Sequence, residues 1–278
     1  MSSNALLAVA VSGRGLVEPG EPVLAADDEG FTRGRAAFET MRVYGGRPFR
    51  LAQHLARLAS SAERIGLAAP DAADVERLAM LALEKAATPE AVLRLYWTPG
   101  PPGGEHCAIA LVSAIPGWIE EARDRGQRLV SLLHQRRSAP WLLPATKSTS
   151  YAVSIAAEAE AKARGGDDAV FVDGDGIVLE GPVTNIWWRE GDVLLTPSLE
   201  VGILAGETRA ALLELASRSG QVVEEGVFPL ERLVAADEVF TSSSVREVMP
   251  VVAVDGHAIA RGPAATALQE ALRREARS

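Results

Sequence analysis

The sequence predicts a two-domain fold of the α+β / α/β class. Short β-prone runs interleave with amphipathic helical stretches along the whole chain. A length of 278 residues suits one large domain or two smaller ones. Ile115-Pro116-Gly117 breaks the pattern and is the best candidate boundary. The expected domains are a small N-terminal one, residues 1–117, and a larger C-terminal one, residues 118–278.

Residues 5–11 read as a strand, and 16–24 as a turn and a strand. Residues 40–44 are a strand, Gly45-Gly46 a hairpin turn, and 48–51 the return strand. A helix is expected over 53–65, because Leu55, Leu58, Ala62 and Ile65 recur three or four apart and Gly66 stops it. A second helix, 72–87, ends before Thr88-Pro89. Residues 92–97 and 107–114 are strands around the Gly/Pro-rich loop 99–105. Past the boundary come a strand at 129–133, a polar connection at 135–140 and the apolar run Trp141-Leu142-Leu143-Pro144. A helix follows at 150–164, closed by Gly165-Gly166. Residues 169–172 and 177–179 form a hairpin, and 186–189 and 193–195 another pair of strands. Gly202 opens a helix running to Ser219. Strands at 222–228 and 238–240 and a helix after Pro263 complete the chain.

Composition narrows the function. The formal net charge is −9, which argues against a nucleic-acid or anionic-membrane surface. The single Cys107 fits a reducing compartment. The first residues lack the basic region of a signal peptide, and no apolar run is long enough to span a bilayer. A cytoplasmic protein is therefore expected. His54, His106, His134 and His257 are too scattered for a metal site. Walker-type, dinucleotide-binding and Gly-x-Ser-x-Gly motifs are absent.

Lysine usage is the sharpest clue. The chain has 25 arginines and three lysines, Lys85, Lys147 and Lys162. Lys85 and Lys162 read as solvated helix charges. Lys147 stands between the apolar run and the hydroxyls of Ser148-Thr149-Ser150. A surface loop lysine is the plain reading of that residue alone. Arginine can replace lysine in an ion pair but not as a tunable neutral amine nucleophile. Gly206-Glu207-Thr208 at a helix start offers backbone N–H groups and a dipole for an anion. Ser242-Ser243-Ser244 adds donors, and Arg57 formal charge. Together with the lysine, these suit an aromatic phosphate ester, pyridoxal 5′-phosphate.

The motifs Phe38-Glu39-Thr40, His54-Leu55-Ala56-Arg57-Leu58, Lys147-Ser148-Thr149-Ser150-Tyr151, Leu179-Glu180-Gly181-Pro182 with Asn185, Gly202 through Arg209, and Glu247-Val248-Met249-Pro250-Val251 resemble the class IV aminotransferases. These are the fold type IV pyridoxal-phosphate enzymes, with a small α+β N-terminal domain and a larger mixed-sheet C-terminal domain. The resemblance implies that Lys147 binds the cofactor's aldehyde and shuttles the proton, and that Glu180 pairs with the ring nitrogen. It implies that Arg57, Thr208, Ser243, Ser244 and the N–H of Glu207 hold the phosphate. Leu204 would pack on the ring face, with Tyr151 and Asn185 beside the ring oxygen and Glu180. Phe38, Thr40, Trp97 and His106 are the substrate-contacting candidates, and His54 a structural neighbour of Arg57. Residue 207 is usually aliphatic in the family, so the Glu207 side chain is expected to turn away from the phosphate. The family is usually homodimeric, with the His106 loop acting in trans.

The branch is less determined. The short Lys147–Tyr151 spacing and Phe38-Glu39-Thr40 resemble the aminodeoxychorismate lyases. His106 matches a histidine of the D-amino-acid branch, but Gly104 stands where that branch has arginine. Two reactions remain open: transamination between a D-amino acid or (R)-amine and a 2-keto acid, and pyruvate elimination giving 4-aminobenzoate. A non-catalytic cofactor-binding protein is the third reading, disfavoured by the presence of both Lys147 and Glu180.

Overall fold

A computed structural model describes residues 5–134 and 145–278. The connection expected at 135–140 and the apolar run Trp141-Leu142-Leu143-Pro144 lie outside the described residues. The chain divides into two compact units. One comprises residues up to Pro116 with Thr146–Tyr151 and Arg277, and the other the remaining described chain. The lysine segment thus packs with the first unit although it follows the break in sequence.

In the first unit the elements are β1 (Leu6–Val11), β2 (Gly15–Val17), α1 (Glu29–Thr32), β3 (Ala37–Tyr44), β4 (Arg47–Pro48), α2 (Leu51–Arg64), α3 (Ala72–Ala86), β5 (Ala91–Thr98) and β6 (Cys107–Ser113). The strands form an antiparallel sheet in the order β2-β1-β6-β5-β3-β4. Leu55, Leu58 and Ala62 of α2 and Val75, Ala79 and Ala82 of α3 pack on Met41, Val43, Leu93 and Leu95 of the sheet. Alternation along a strand sends successive side chains to opposite faces. Ala37, Met41 and Val43 join this helix-covered core, and Glu39 shares their face. Phe38 and Thr40 fall on the other.

Several boundaries move. Residues 18–24 form no strand, because Pro19 and Pro22 each remove a backbone donor. The return strand stops at Pro48, since Arg50 is left-handed at φ 56° and α2 begins at Leu51. The hairpin turn stands as expected, with Gly45 and Gly46 at φ 56° and 79°.

The second unit contains α4 (Trp118–Arg125), β7 (Gln127–Leu133), α5 (Ala152–Ala163), β8 (Asp168–Val172), β9 (Asn185–Glu190), β10 (Val193–Pro197), α6 (Glu207–Arg218), β11 (Val222–Gly226), α7 (Leu230–Val234), β12 (Glu238–Ser243), β13 (Glu247–Val254), β14 (His257–Ala258) and α8 (Pro263–Arg277). Its mixed sheet runs β11-β10-β9-β12-β13-β7-β8, with β14 paired to β13. Contacts β10–β11, β13–β7 and β7–β8 are parallel, and the others antiparallel. Trp188, Ile186, Val239 and Val251 face a core with Phe228 and Leu233. Ala157 and Ala161 of α5 pack on Val130, Ala169 and Phe171.

The strand expected at 177–179 is not one. Leu179 donates to Phe171, but Val178 donates to Phe228, so the segment alternates between neighbours and makes only isolated bridges. The helix expected from Gly202 starts at Glu207. Gly202 is left-handed and closes a 3-10 turn over Leu199–Val201, leaving 203–206 outside any helix. Among the described residues, no helix is long and apolar enough to cross a membrane.

Leu58 is wholly buried between α2 and the sheet. Leu58→Ala is expected to cost about 3 kcal/mol of stability, read as a lower urea midpoint at unchanged slope. A cost under about 0.5 kcal/mol would contradict the packing described.

Candidate active site

In the first unit, the lysine segment is fastened by backbone contacts. Phe38 N–H donates to the Lys147 carbonyl at 3.1 Å, and Thr149 N–H to Ala36 at 2.9 Å. Ser61 of α2 accepts the Lys147 N–H at 3.2 Å, and Arg64 donates to the Thr146 hydroxyl at 2.8 Å. The Lys147 Nζ lies 4.4 Å from the centroid of the Phe38 ring. Phe38 stacks on Tyr96 at 5.8 Å and meets the edge of Tyr151 at 5.3 Å. The amine therefore sits on an aromatic platform, with a hydroxyl-bearing ring as a neighbour of that platform. Thr40, two residues along the same strand face, is half-buried opposite Arg94.

Glu39, between Phe38 and Thr40, does different work. It is wholly buried. Arg57 grips both of its oxygens, Nε to Oε1 and a terminal nitrogen to Oε2, each at 2.7 Å. His54 Nδ1 lies 2.6 Å from Oε2. Burial alone pushes this carboxyl up, but the hydrogen bonds from Arg57 and His54 outweigh it and hold it at about 2. His54 is buried in this contact, in a structural position. Part of Arg57's donor set thus serves Glu39, which orients its guanidinium. Trp97 and His106 stack face to face at 5.3 Å and 11°, and Trp97 Nε1 donates to the Ala68 carbonyl at 2.8 Å. A Cβ on Gly104 would lie 2.8 Å from Cγ of Pro101. The loop is folded too tightly there for an arginine without rearrangement.

In the second unit, Glu180 is 8% exposed. Its Oε2 accepts the Leu204 N–H at 3.0 Å and the Asn185 amide at 3.4 Å. Asn185 also donates to the Leu204 carbonyl at 3.0 Å. The non-helical 203–206 segment makes this possible, and so does Gly206: a Cβ there would sit 2.0 Å from Asn185 Oδ1. α6 follows at once, with Gly206 as an N-cap that offers no side-chain cap. Its positive end is therefore left to other partners. Thr208 is buried in its first turn and Glu207 half-buried. α6 packs on β12, whose Ser242 pairs in register with Asn185 and accepts from Trp187 Nε1 at 2.9 Å. Ser243 and Ser244 follow, both half-buried.

The structure thus joins Lys147, Phe38 and Tyr151, joins Glu180, Asn185 and Leu204, and stacks Trp97 on His106. The sequence reading assigned no role to Glu39 or Trp187. A glutamate inside the apolar run Ala37–Tyr44 was the available signal for the first. A buried carboxylate suits a protonated ring nitrogen, and a helix start without a side-chain cap suits a phosphate. Among the described residues, no cluster of His, Cys, Asp or Glu could hold a metal ion.

Residues 36–254 match the family described as amino-transferase class IV. The bifunctional aminodeoxychorismate lyase / D-amino acid transaminase of Mycobacterium tuberculosis is 32% identical over 271 residues, covering 92% of this chain and 94% of that protein. The D-alanine aminotransferase of Bacillus licheniformis is 29% identical, covering 95% of each. A solved structure, a hypothetical aminotransferase from Mycobacterium tuberculosis with α-ketoglutarate and PMP bound, superposes with a TM-score of 0.92 at 32% identity. It covers 97% of this chain and 98% of that one.

The folded-state value of Glu39 lies below the ordinary 4.5, so its stabilisation is complete above about pH 4.5 and lost as pH falls toward about 2. This contribution is on the order of 3 kcal/mol. Glu39→Gln is expected to be less stable at neutral pH and to lose less on acidification, as read by urea unfolding at each pH. Parallel pH curves for the two proteins would refute the assignment.

Proposed function

The chain belongs to the class IV aminotransferases, and on that premise we propose that it transfers an amino group between a D-amino acid or (R)-amine and a 2-keto acid. Its cofactor is pyridoxal 5′-phosphate. The observation that carries the cofactor assignment to particular residues is the clasp on Glu180. A buried carboxylate supplied with a backbone N–H and an amide is ready to hold a proton on a basic ring nitrogen.

When bound, pyridoxal phosphate supplies an aldehyde that condenses with amines and a ring that accepts the electron pair left by Cα–H cleavage. Lys147 would hold the aldehyde and, once displaced by the substrate amine, would move a proton between the substrate Cα and C4′. The Phe38 platform limits where that amine can go. Glu180 would keep the ring nitrogen protonated, and Asn185 helps to hold Glu180 in place. Arg57, Thr208, Ser243, Ser244 and the backbone N–H of Glu207 would hold the phosphate. Tyr151 would lie beside the ring oxygen, and Leu204 would pack on the ring face. Phe38, Thr40, Trp97 and His106 border the substrate.

Gly104 supports a broad donor range. Glycine stands where an arginine would complete a carboxylate trap with His106, and the tight turn at Pro101 would have to rearrange to admit one. A donor without a carboxylate then loses less here than in an enzyme built around that arginine. The lyase reading rests on Phe38-Glu39-Thr40 and the short Lys147–Tyr151 spacing, and the Mycobacterium tuberculosis relative is described as having both activities. A second copy of the chain is the expected partner. Val153 and Ile155 on α5 are 56% and 64% exposed, apolar surface of the kind a subunit contact covers.

The test is a set of half-reactions. Holoenzyme mixed with D-alanine or an (R)-arylalkylamine, without acceptor, is expected to lose its visible absorption band, which a 2-keto acid then restores. Lys147→Ala is expected to lower the rate by about 10⁴-fold. If no donor bleaches the band and aminodeoxychorismate yields 4-aminobenzoate, the lyase reading replaces this one.

A further inference from the structure

The turn joining β12 to β13 consists of Ser244, Val245 and Arg246 and closes on Glu247, whose backbone is left-handed at φ 56°. Glycine fills such a position without strain. A glutamate there is disfavoured unless its surroundings hold it. Glu247 is wholly buried.

What holds it is a clamp from two helices. Arg273 of α8 donates a terminal nitrogen to Oε2 at 2.7 Å and its Nε to both oxygens at 3.1 and 3.2 Å. Gln269 donates to Oε2 at 2.7 Å, and Arg123 of α4 to the same oxygen at 3.1 Å. Arg123 also reaches the carbonyls of Arg246, at 2.7 Å, and Val248, at 3.1 Å. Gln269 accepts the Val248 N–H at 2.8 Å. Glu120 binds both arginines from the outside. Three consecutive residues, 246 to 248, are thus fixed through side chain and backbone together. On the other arm of the hairpin, Ser243 pairs in register with Glu247, and its hydroxyl accepts the Arg246 N–H at 3.4 Å. That leaves the Ser243 hydroxyl proton available to an acceptor.

A short loop at a sheet end does not need this much fixation for its own stability. The clamp makes sense if the loop's shape has to be exact for a ligand. We propose that Glu247 is a positioning residue for the phosphate of the cofactor: anchored by Arg123, Gln269 and Arg273, it sets the turn that presents the hydroxyls of Ser243 and Ser244. The inference rests on the cofactor reading above. The two arginines also neutralise Glu247, so an anion can be accepted beside the turn without facing an uncompensated charge.

Two variants test it. Glu247→Gly removes the carboxylate while keeping the left-handed backbone free of strain. Arg273→Met, at a partly exposed position, removes one side of the clamp and decides the matter if the first variant does not fold. Apo-proteins are titrated with pyridoxal 5′-phosphate and with pyridoxal, which lacks the phosphate, following visible absorption, and thermal melting is recorded alongside. Each variant is expected to lose roughly tenfold more affinity for the phosphate ester than for pyridoxal, the worth of one or two misplaced hydrogen bonds. Equal losses for the two ligands would overturn the proposal and make Glu247 a stability residue only. If the wild-type chain takes up neither ligand, the cofactor reading fails and this inference with it.

Discussion

A carboxylate taken out of water is tolerated only where fixed donors replace its hydration. This constraint organises much of the molecule. Glu39 is met by Arg57 and His54 of α2, Glu180 by Asn185 and the Leu204 backbone, and Glu247 by residues of α4 and α8. Glu238, also buried, accepts the Ala264 and Ala265 N–H groups at the start of α8 and a bond from Arg189. In each case the carboxylate and its donors come from different stretches of chain. Removing one partner would leave a buried charge unmatched, so these contacts act as fasteners whose cost of breaking exceeds their net gain.

The donors differ from one acid to the next. Glu39 and Glu247 are each satisfied by arginines, which stay charged and spread their donors over several acceptors. Glu180 is held in part by a backbone N–H and an amide, which fix its orientation.

Much of this was legible in the sequence, and the failures have physical causes. α2, α3 and α8 announce themselves because each buries one apolar face at helical spacing. α1, α4 and α7 do not. They have 4, 8 and 5 residues, and α4 buries only Ile119 and Ala122, too few positions to make a period. The start of β13 hides behind a charged residue that only its clamp explains. Lys147 stood out through composition, and Glu180 with Asn185 through motif. The grip of Glu39 on α2 did not, because a glutamate in a strand ordinarily faces solvent, and its partners lie 15 and 18 residues away. The glycine at 202 reads from sequence as a helix start, but its left-handed backbone makes it a stop, and α6 begins only at Glu207.

Phe38 and Glu39 are neighbours in β3 that serve opposite faces of one sheet, the first beneath the lysine amine and the second against a helix. Strand pairing that slipped by a single position would exchange them, placing a carboxylate under the amine and an aromatic ring among cations. The antiparallel pairing of β3 with β5, from Ala37 opposite Trp97 to Val43 opposite Ala91, sets that register. A misaligned chain would therefore lose its fasteners and its reactive centre together, so no well-folded but chemically scrambled form is available to accumulate.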